Sequence, residues 1–375
     1  SLGTCIRDAL NAGAYFFAVV VAGLSGFWPL LKLGLMLFCW HAPIERLSLG
    51  GRERLLHFLD EYGKYSLIDS WLTIIALESY KVQWYSADKD VSMMVDAVPM
   101  MAFFAFVIAS VLSLVMGHTT SIFAKMAKDS DLGETDHADA GEEVPERLCN
   151  YLPRGSAPGT MLGLVCTALA VIVGVFAESF AITTSGVFSS VILDTTDSTR
   201  NFSLFTLGMQ VTQGAVVHNG TQMVQLIFFA FTVFIPLGLV VILLVMWLLP
   251  LTITHQRHLL TFCRCLDAWA AFDVFGLALL VAWYEFGIMA SFLVYHDNIA
   301  SLCVWVRQTL DSECFHIETN LTPGYFALAA GGIVSYLVPK LSFKSAQLAL
   351  EARERTDDKL GNGRSEDDDD DDDDE

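Results

Sequence analysis

Charged residues are scarce in this chain, and those of positive sign are scarcest. Only 17% of the 375 residues are Asp, Glu, Lys or Arg, whereas soluble globular domains average about 25%. The 22 Lys and Arg are outnumbered by 42 Asp and Glu, which gives a formal net charge of −20. Nucleic-acid binding needs a basic face, so this balance argues against a nucleic-acid partner.

Cysteine is also sparse, and common catalytic motifs are missing. Eight Cys in 375 residues are too few for a disulfide scaffold. The sequence contains no CxxC pair, so no zinc ribbon is predicted. It also lacks GxSxG, HExxH and a phosphate-binding glycine loop. We therefore expect no metal, no cofactor and no enzymatic activity.

The negative charge lies in two short segments. Residues 366–375 are ten consecutive acids, and residues 129–146 add eight more without a Lys or Arg. Removing these eighteen charges from −20 leaves a body of about −2. That body is very apolar, since 54% of the chain is hydrophobic and the mean hydropathy is +0.49. The composition therefore predicts a membrane protein with two acidic, solvated segments.

Seven apolar stretches are long enough, or nearly so, to cross a bilayer, which takes about 20 helical residues. They are 14–40, 67–82, 93–116, 160–183, 225–249, 268–295 and 325–338. Spanning segments of this kind must be helical, because a helix satisfies its own backbone in lipid. The predicted fold class is an all-α, polytopic membrane protein, with a small outer loop after 160–183 that could form β-structure.

The distribution of Lys and Arg predicts the orientation. Sixteen of the 22 fall in the segments 42–66, 117–159, 250–267 and 339–375. The side rich in these residues is cytosolic, which places the N-terminus outside and the C-terminus in the cytosol. The acceptor sequons at Asn201, Asn219 and Asn320 all fall outside, as glycosylation in a eukaryotic secretory or plasma membrane requires. Cys303 and Cys314 share one outer loop, where they form either a disulfide or two free thiols.

The two halves of the chain resemble each other. FWPL at 27–30 recurs as FIPL at 234–237, and Tyr65, Asp69 and Tyr80 align with Trp269, Asp273 and Tyr284 after a three-residue gap. We expect two tandem repeats of four spans, oriented alike, with the first span of repeat one absent from this sequence. The predicted divisions are a first repeat at 1–128, an acidic cytosolic linker at 129–158, a second repeat at 159–345 and a disordered acidic tail at 346–375.

Ionisable residues inside spans are costly and are functional candidates by default. The candidate polar intramembrane residues are Lys32, Ser66, Asp69, Asp273, Glu78 and Glu285. Lys32 is expected either to pair with Asp69 or to reach the cytosolic interface. Pro29 and Pro236 interrupt equivalent spans and are expected to kink them.

The duplicated segments resemble the paraquat-inducible protein A family of integral membrane proteins. The text that carries the likeness is SGFWPLLKLGLMLF with GKYSLIDSWLTIIAL in the first half, and VFIPLGLVVILL with LDAWAAFDVFGLALLV in the second. Ala270 and Leu239 replace a Ser and a Lys of the family pattern, and the zinc-ribbon cysteines of bacterial members are missing.

This resemblance implies a role in moving lipids between membranes, with a polar cluster around the intramembrane Asp. It implies the bilayer, and a bound lipid, as partners, and it identifies no protein partner. The proton coupling of Lys32, Asp69 and Asp273 is a further expectation. Two alternatives stay open: a seven-span receptor, which the duplication disfavours, and a tetraspan-type structural or adaptor protein.

Overall fold

The computed structural model describes residues 2–43, 47–79, 82–86, 91–95, 99–131, 145–151, 156–185, 199–212, 218–296, 308 and 316–367. Most of the predicted acidic linker, the last eight residues of the acidic tail, and Cys303 and Cys314 lie outside the described residues. The described helices are α1 Leu2–Ala12, α2 Tyr15–Val20, α3 Trp28–His41, α4 Leu49–Glu61, α5 Ile68–Ser79, α6 Met101–Asp131, α7 Ser156–Phe176, α8 Leu204–Gln210, α9 His218–Phe229, α10 Ile235–Leu248, α11 Ile253–Trp269, α12 Phe272–His296 and α13 Pro323–Asp367. The strands are β1 Val82–Ser86, β2 Val91–Val95, β3 Glu178–Ser185, β4 Thr199–Ser203 and β5 His316–Leu321.

Six of the described helical segments are long and apolar enough to cross a membrane. They are Tyr15–His41, Met101–Ala124, Ala157–Phe176, Gly220–Leu248, Ile253–Met289 and Pro323–Thr356. Many large apolar side chains on them face outward, as expected of surfaces that contact lipid. The prediction of a mostly helical, multi-pass chain is therefore confirmed.

The second predicted span, 67–82, differs from the other six. It folds as α5, a 12-residue helix of about 18 Å, which is shorter than the hydrocarbon core of about 30 Å. A 3₁₀ turn over Gly63–Leu67 extends it toward α4. Most of α5 is buried, including Trp71 and Ile75, because it packs against α12 in the centre of the molecule. Its apolar sequence therefore reflects burial in protein as well as in lipid.

Two long spans contain a π-helical segment directly before a proline. One covers Val21–Phe27 ahead of Pro29, and the other covers Ala230–Phe234 ahead of Pro236. Proline lacks an N–H, so it leaves carbonyls of the preceding turn without a helical donor. In the second half, the carbonyl of Phe231 instead accepts from the backbone N–H of Ala271, at 2.9 Å. A π-bulge thus precedes each of the two prolines, and the kinks expected at Pro29 and Pro236 stay predictions.

The strands and the connecting helices lie at opposite ends of the bundle. Strands β4, β3 and β5 form an antiparallel sheet in that order, which joins the end of α7 to the start of α13. The strands in the loop after α7 include the β-structure expected there. At the other end, Glu146 and Leu251 form a backbone bridge, and α11 contacts α4 and α13. The three-stranded sheet and the backbone bridge therefore mark the two ends of the bundle.

Candidate functional site

An ion pair between Lys64 and Asp273 lies where the two halves of the chain meet. The 3₁₀ turn positions Lys64, and the first turn of α12 positions Asp273. The Lys64 Nζ lies 3.0 Å from Oδ1 and 2.9 Å from Oδ2 of Asp273, and both side chains are largely buried. Charged groups taken out of water need such pairing.

The surrounding groups complete the hydrogen bonding of this pair. Lys64 Nζ also donates to the Ala270 carbonyl at 2.9 Å, which lies in the break between α11 and α12. The Tyr65 hydroxyl donates to Asp273 Oδ2 at 3.3 Å. The Lys64 ammonium therefore has both the Asp273 carboxylate and the Ala270 carbonyl as acceptors. These contacts satisfy its N–H donors although the group is buried.

A second cluster connects Glu61, Tyr336 and Lys340. Glu61 ends α4, whereas the other two lie one turn apart on α13. The Glu61 carboxylate pairs with Lys340 and accepts from the Tyr336 hydroxyl at 3.3 Å. The Lys340 ammonium also lies over the Tyr336 ring, 3.8 Å from its centroid. The first half thus contacts the last span through charge and aromatic contacts.

A third cluster surrounds Lys32 and Asp60. Lys32 Nζ donates to the Ser113 carbonyl at 3.1 Å, and the residue is only 2% exposed. A Cβ added to Gly117 would lie 2.8 Å from Lys32 Nζ and 3.8 Å from Asp60 Oδ1, so both charged groups lie against this glycine. The expected pairing of Lys32 with Asp69 is not seen among the described residues. The carboxylate near Lys32 is that of Asp60, because α4 and α6 bring Asp60 to the same level.

Asp60 also binds His118, which lies within α6. His118 Nδ1 and Asp60 Oδ2 are 3.0 Å apart. Both residues line a chamber of about 400 Å³ together with Glu61, Asp267 and Lys340. This chamber, called the polar chamber below, lies between α4, α6, α11 and α13. Both acidic and basic side chains line it, so it suits a polar group of a ligand better than an apolar group.

An apolar groove of about 370 Å³ lies next to the polar chamber, between α12 and α13. Its lining includes Leu280, Leu328 and Leu337, and Asp273 lies at its polar end. Tyr336 lines the groove, and its hydroxyl binds Glu61 in the wall of the chamber. The Tyr336–Glu61 hydrogen bond therefore joins the lining of the groove to the lining of the chamber.

The remaining predicted residues lie apart from this site. The Ser66 hydroxyl donates to the Gly63 carbonyl at 2.8 Å and closes the 3₁₀ turn. Glu78 is buried, and its backbone carbonyl accepts from Arg200 Nη2 at 3.0 Å. Glu285 is buried and accepts from the N–H groups of Phe16 and Phe17, at 2.8 and 2.9 Å. Glu285 thus satisfies the first N–H groups of α2, a structural role.

Asp69 differs from its sequence counterpart Asp273. It lies in the first turn of α5 and is half-buried, but no ion pair to it is seen among the described residues. The position equivalent to Lys64 in the second half is Ala268. The aligned position thus provides no Lys that could pair with Asp69 as Lys64 pairs with Asp273.

Sequence reasoning missed Lys64, Glu61, Asp60 and Lys340. Lys64 and Lys340 were counted only as cytosolic charges in the topology prediction. A signal existed for Lys64, because it lies five residues before Asp69 and three residues before the predicted span 67–82. Nothing in the sequence pairs it with Asp273, 209 residues away.

Six long apolar helices, with a paired Lys and Asp buried between them, define a multi-pass integral membrane protein. Residues 188–319 match the family model described as paraquat-inducible protein A. The match covers Pro236, Asp273 and Glu285, and it confirms the resemblance stated from the sequence. Over these residues the chain is therefore similar to the paraquat-inducible protein A family. No curated protein and no solved structure matches it.

Proposed function

We propose that this protein binds a membrane lipid and takes part in lipid transport or membrane lipid homeostasis, without enzymatic activity. The observation that carries the proposal is the apolar groove between α12 and α13, which ends at Asp273 and adjoins the charged polar chamber. A lipid has the same division, with an apolar chain and a polar headgroup. Ligand sites are typically apolar cavities with a few placed polar groups.

The dimensions of the groove fit part of an acyl chain. Its lining runs from Tyr325 to Leu337 along α13, which is about 18 Å of helix. Gly276 and Gly332 are among the lining residues, so no side chain from these two positions fills the groove. The chain would lie along these helices, and the headgroup would lie near Tyr336 and the chamber.

The Lys64–Asp273 pair offers a way to couple protons to lipid movement. Protonation of Asp273 would remove the charge that holds Lys64 and weaken this one contact between the two halves. Buried intramembrane carboxylates act as proton relays in many transporters. A ligand or proton shifts such an equilibrium only through a difference in affinity between the two states.

The two π-bulges support the proposed tandem duplication. Each lies in an apolar span, and each ends two residues before a proline. Bulges of this kind often occur at functional sites, and matching irregular helices in two halves are typical of transporter repeats. The proposed setting is a eukaryotic secretory or plasma membrane with the chamber facing the cytosol.

Lipid retention in groove variants tests the proposal. A Cβ on Gly332 meets nothing closer than Asp273 Cα at 3.5 Å, so Gly332→Ala should keep both the fold and the groove. Gly332→Leu places a branched side chain in the groove and should displace an acyl chain. The measurement is mass spectrometry of lipid that stays with the purified, detergent-washed protein.

We expect one lipid class at a fixed ratio in the wild type and in Gly332→Ala, and a loss of at least fivefold in Gly332→Leu. Equal lipid content in both variants, with equal thermal stability, would rule out the groove as a lipid site. Proton coupling is tested separately with Asp69→Asn and Asp273→Asn. Unchanged lipid distribution in cells that express both variants normally would refute a role for these carboxylates.

A further inference from the structure

The outer sheet brings two of the three sequons together. We infer that Asn201 and Asn320 both carry N-linked glycans, side by side on one face of this sheet, and that Asn219 carries none. The two acceptors are 119 positions apart in sequence. This assignment is independent of the proposed lipid function, since it concerns the opposite end of the molecule.

Strand register places the two acceptors in one row. Asn201 on β4 and Asn320 on β5 are both partners of Ala181 on the central strand β3. Directly paired residues of an antiparallel sheet point to the same face, and neighbouring strands are about 4.8 Å apart. The two asparagines therefore leave the same face about 10 Å apart. Ala181 between them has no long side chain to obstruct either.

Burial identifies this face as the exposed one. Asn201 and Asn320 are exposed, whereas Phe180, Ile182 and Phe202, which alternate with their row, are at most 1% exposed. The neighbouring row on the same face holds Thr183, Thr199 and Glu318. The sheet thus has an apolar face that packs on the bundle and a polar face that can present glycans without disturbing the core.

The contacts of Asn201 are compatible with attachment. Asn201 Nδ2 donates to Glu178 Oε2 at 2.8 Å. Glycan transfer forms a bond from Nδ2 to the anomeric carbon of an oligosaccharide and breaks the bond of that carbon to its lipid-linked pyrophosphate, which accepts the released proton. The substituted amide keeps one N–H, so the bond to Glu178 can persist.

Asn219 lies in a different setting. It is in the first turn of α9, the helix that continues into the candidate span Gly220–Leu248. Acceptor asparagines belong in exposed surface segments. The tripeptide NGT has the required form, but the helix that holds it continues into an apolar span, which places this acceptor near the membrane surface.

Site mapping in the protein expressed in eukaryotic cells tests the assignment. The native chain is treated with peptide N-glycosidase in ¹⁸O water, which converts each glycosylated Asn to labelled Asp. We expect label at Asn201 and Asn320 and none at Asn219. In parallel, Asn201→Gln and Asn320→Gln should each lower the apparent mass on a gel by one glycan, and the double variant should lower it by two. Asn219→Gln should leave the apparent mass unchanged.

Label at Asn219, or its absence at either Asn201 or Asn320, would overturn the inference. Mapping the wild-type chain needs no variant, so a variant that fails to fold leaves the test intact. Glycans at both sites together with unchanged lipid content in Gly332→Leu would refute the lipid proposal alone.

Discussion

At the residue scale, the most specific feature is that two aspartates at aligned sequence positions have different partners. Asp273 binds Lys64 and Tyr65, whereas Asp69 has no ion pair among the described residues. Removing one partner of a buried pair leaves an uncompensated charge, which costs about 3–5 kcal/mol. The two aspartates therefore provide a matched pair of substitutions.

We expect Asp273→Asn to lower the free energy of unfolding by about 3 kcal/mol, because Lys64 keeps its charge in a buried site. Asp69→Asn should cost less than about 1 kcal/mol. The measurement is denaturant unfolding of the detergent-solubilised protein. Combining Lys64→Met with Asp273→Leu should recover much of the loss, and equal effects of the two single Asn variants would show that the pair contributes nothing specific.

Glu285 offers a second test at this scale. Its carboxylate accepts from the first N–H groups of α2, where a negative charge and an acceptor both stabilise a helix. Glu285→Ala should destabilise this end by about 1 kcal/mol and raise hydrogen exchange at Phe16 and Phe17. Glu285→Gln keeps an acceptor and should have a smaller effect. Unchanged exchange in the Ala variant would exclude the capping role.

At the scale of elements, close helix packing depends on glycine. α7 and α13 are in extensive contact, and a Cβ on Gly331 would lie 3.0 Å from the backbone oxygen of Ala170. A Cβ on Gly174 would lie 2.8 Å from Phe272 Cζ and 3.0 Å from Leu328 Cα. Small residues permit this approach between membrane helices.

Gly331→Ala and Gly174→Ala should each destabilise the protein by about 1–3 kcal/mol, because overpacking forces backbone shifts. Gly163→Ala is the control in the same interface, since its Cβ would meet only Val338 Cγ1 at 3.4 Å. It should be neutral or stabilising by up to about 1 kcal/mol. A thermal stability series on the three variants decides the matter, and equal melting temperatures would contradict the packing assignment.

At the scale of the whole molecule, chemical labelling tests the proposed orientation of the protein in the membrane. Cys265 lines the polar chamber and is half-buried, whereas Cys263 is 0% exposed. With each as the single Cys, an impermeant maleimide should label Cys265 in inside-out vesicles and leave it unlabelled in intact cells. Cys263 should stay unlabelled in both. Labelling of Cys265 from outside would reverse the proposed topology.

The sequence by itself determined the class of this protein, its acidic segments and the location of the proline-associated irregularities. These follow from local properties, because an apolar run of 20 residues has few alternatives to a membrane helix and a proline removes a donor wherever it stands. The family resemblance rested on segments of this kind.

Only the tertiary structure decided which charges meet and which faces are exposed. Lys32 lies beside Asp60 rather than Asp69, and Lys64 reaches Asp273 from the other half, because the packing of α4, α6 and α12 sets those distances. Asn201 and Asn320 share a row only through strand register. Contacts of this range arise from how helices and strands assemble, which no local pattern along the chain specifies.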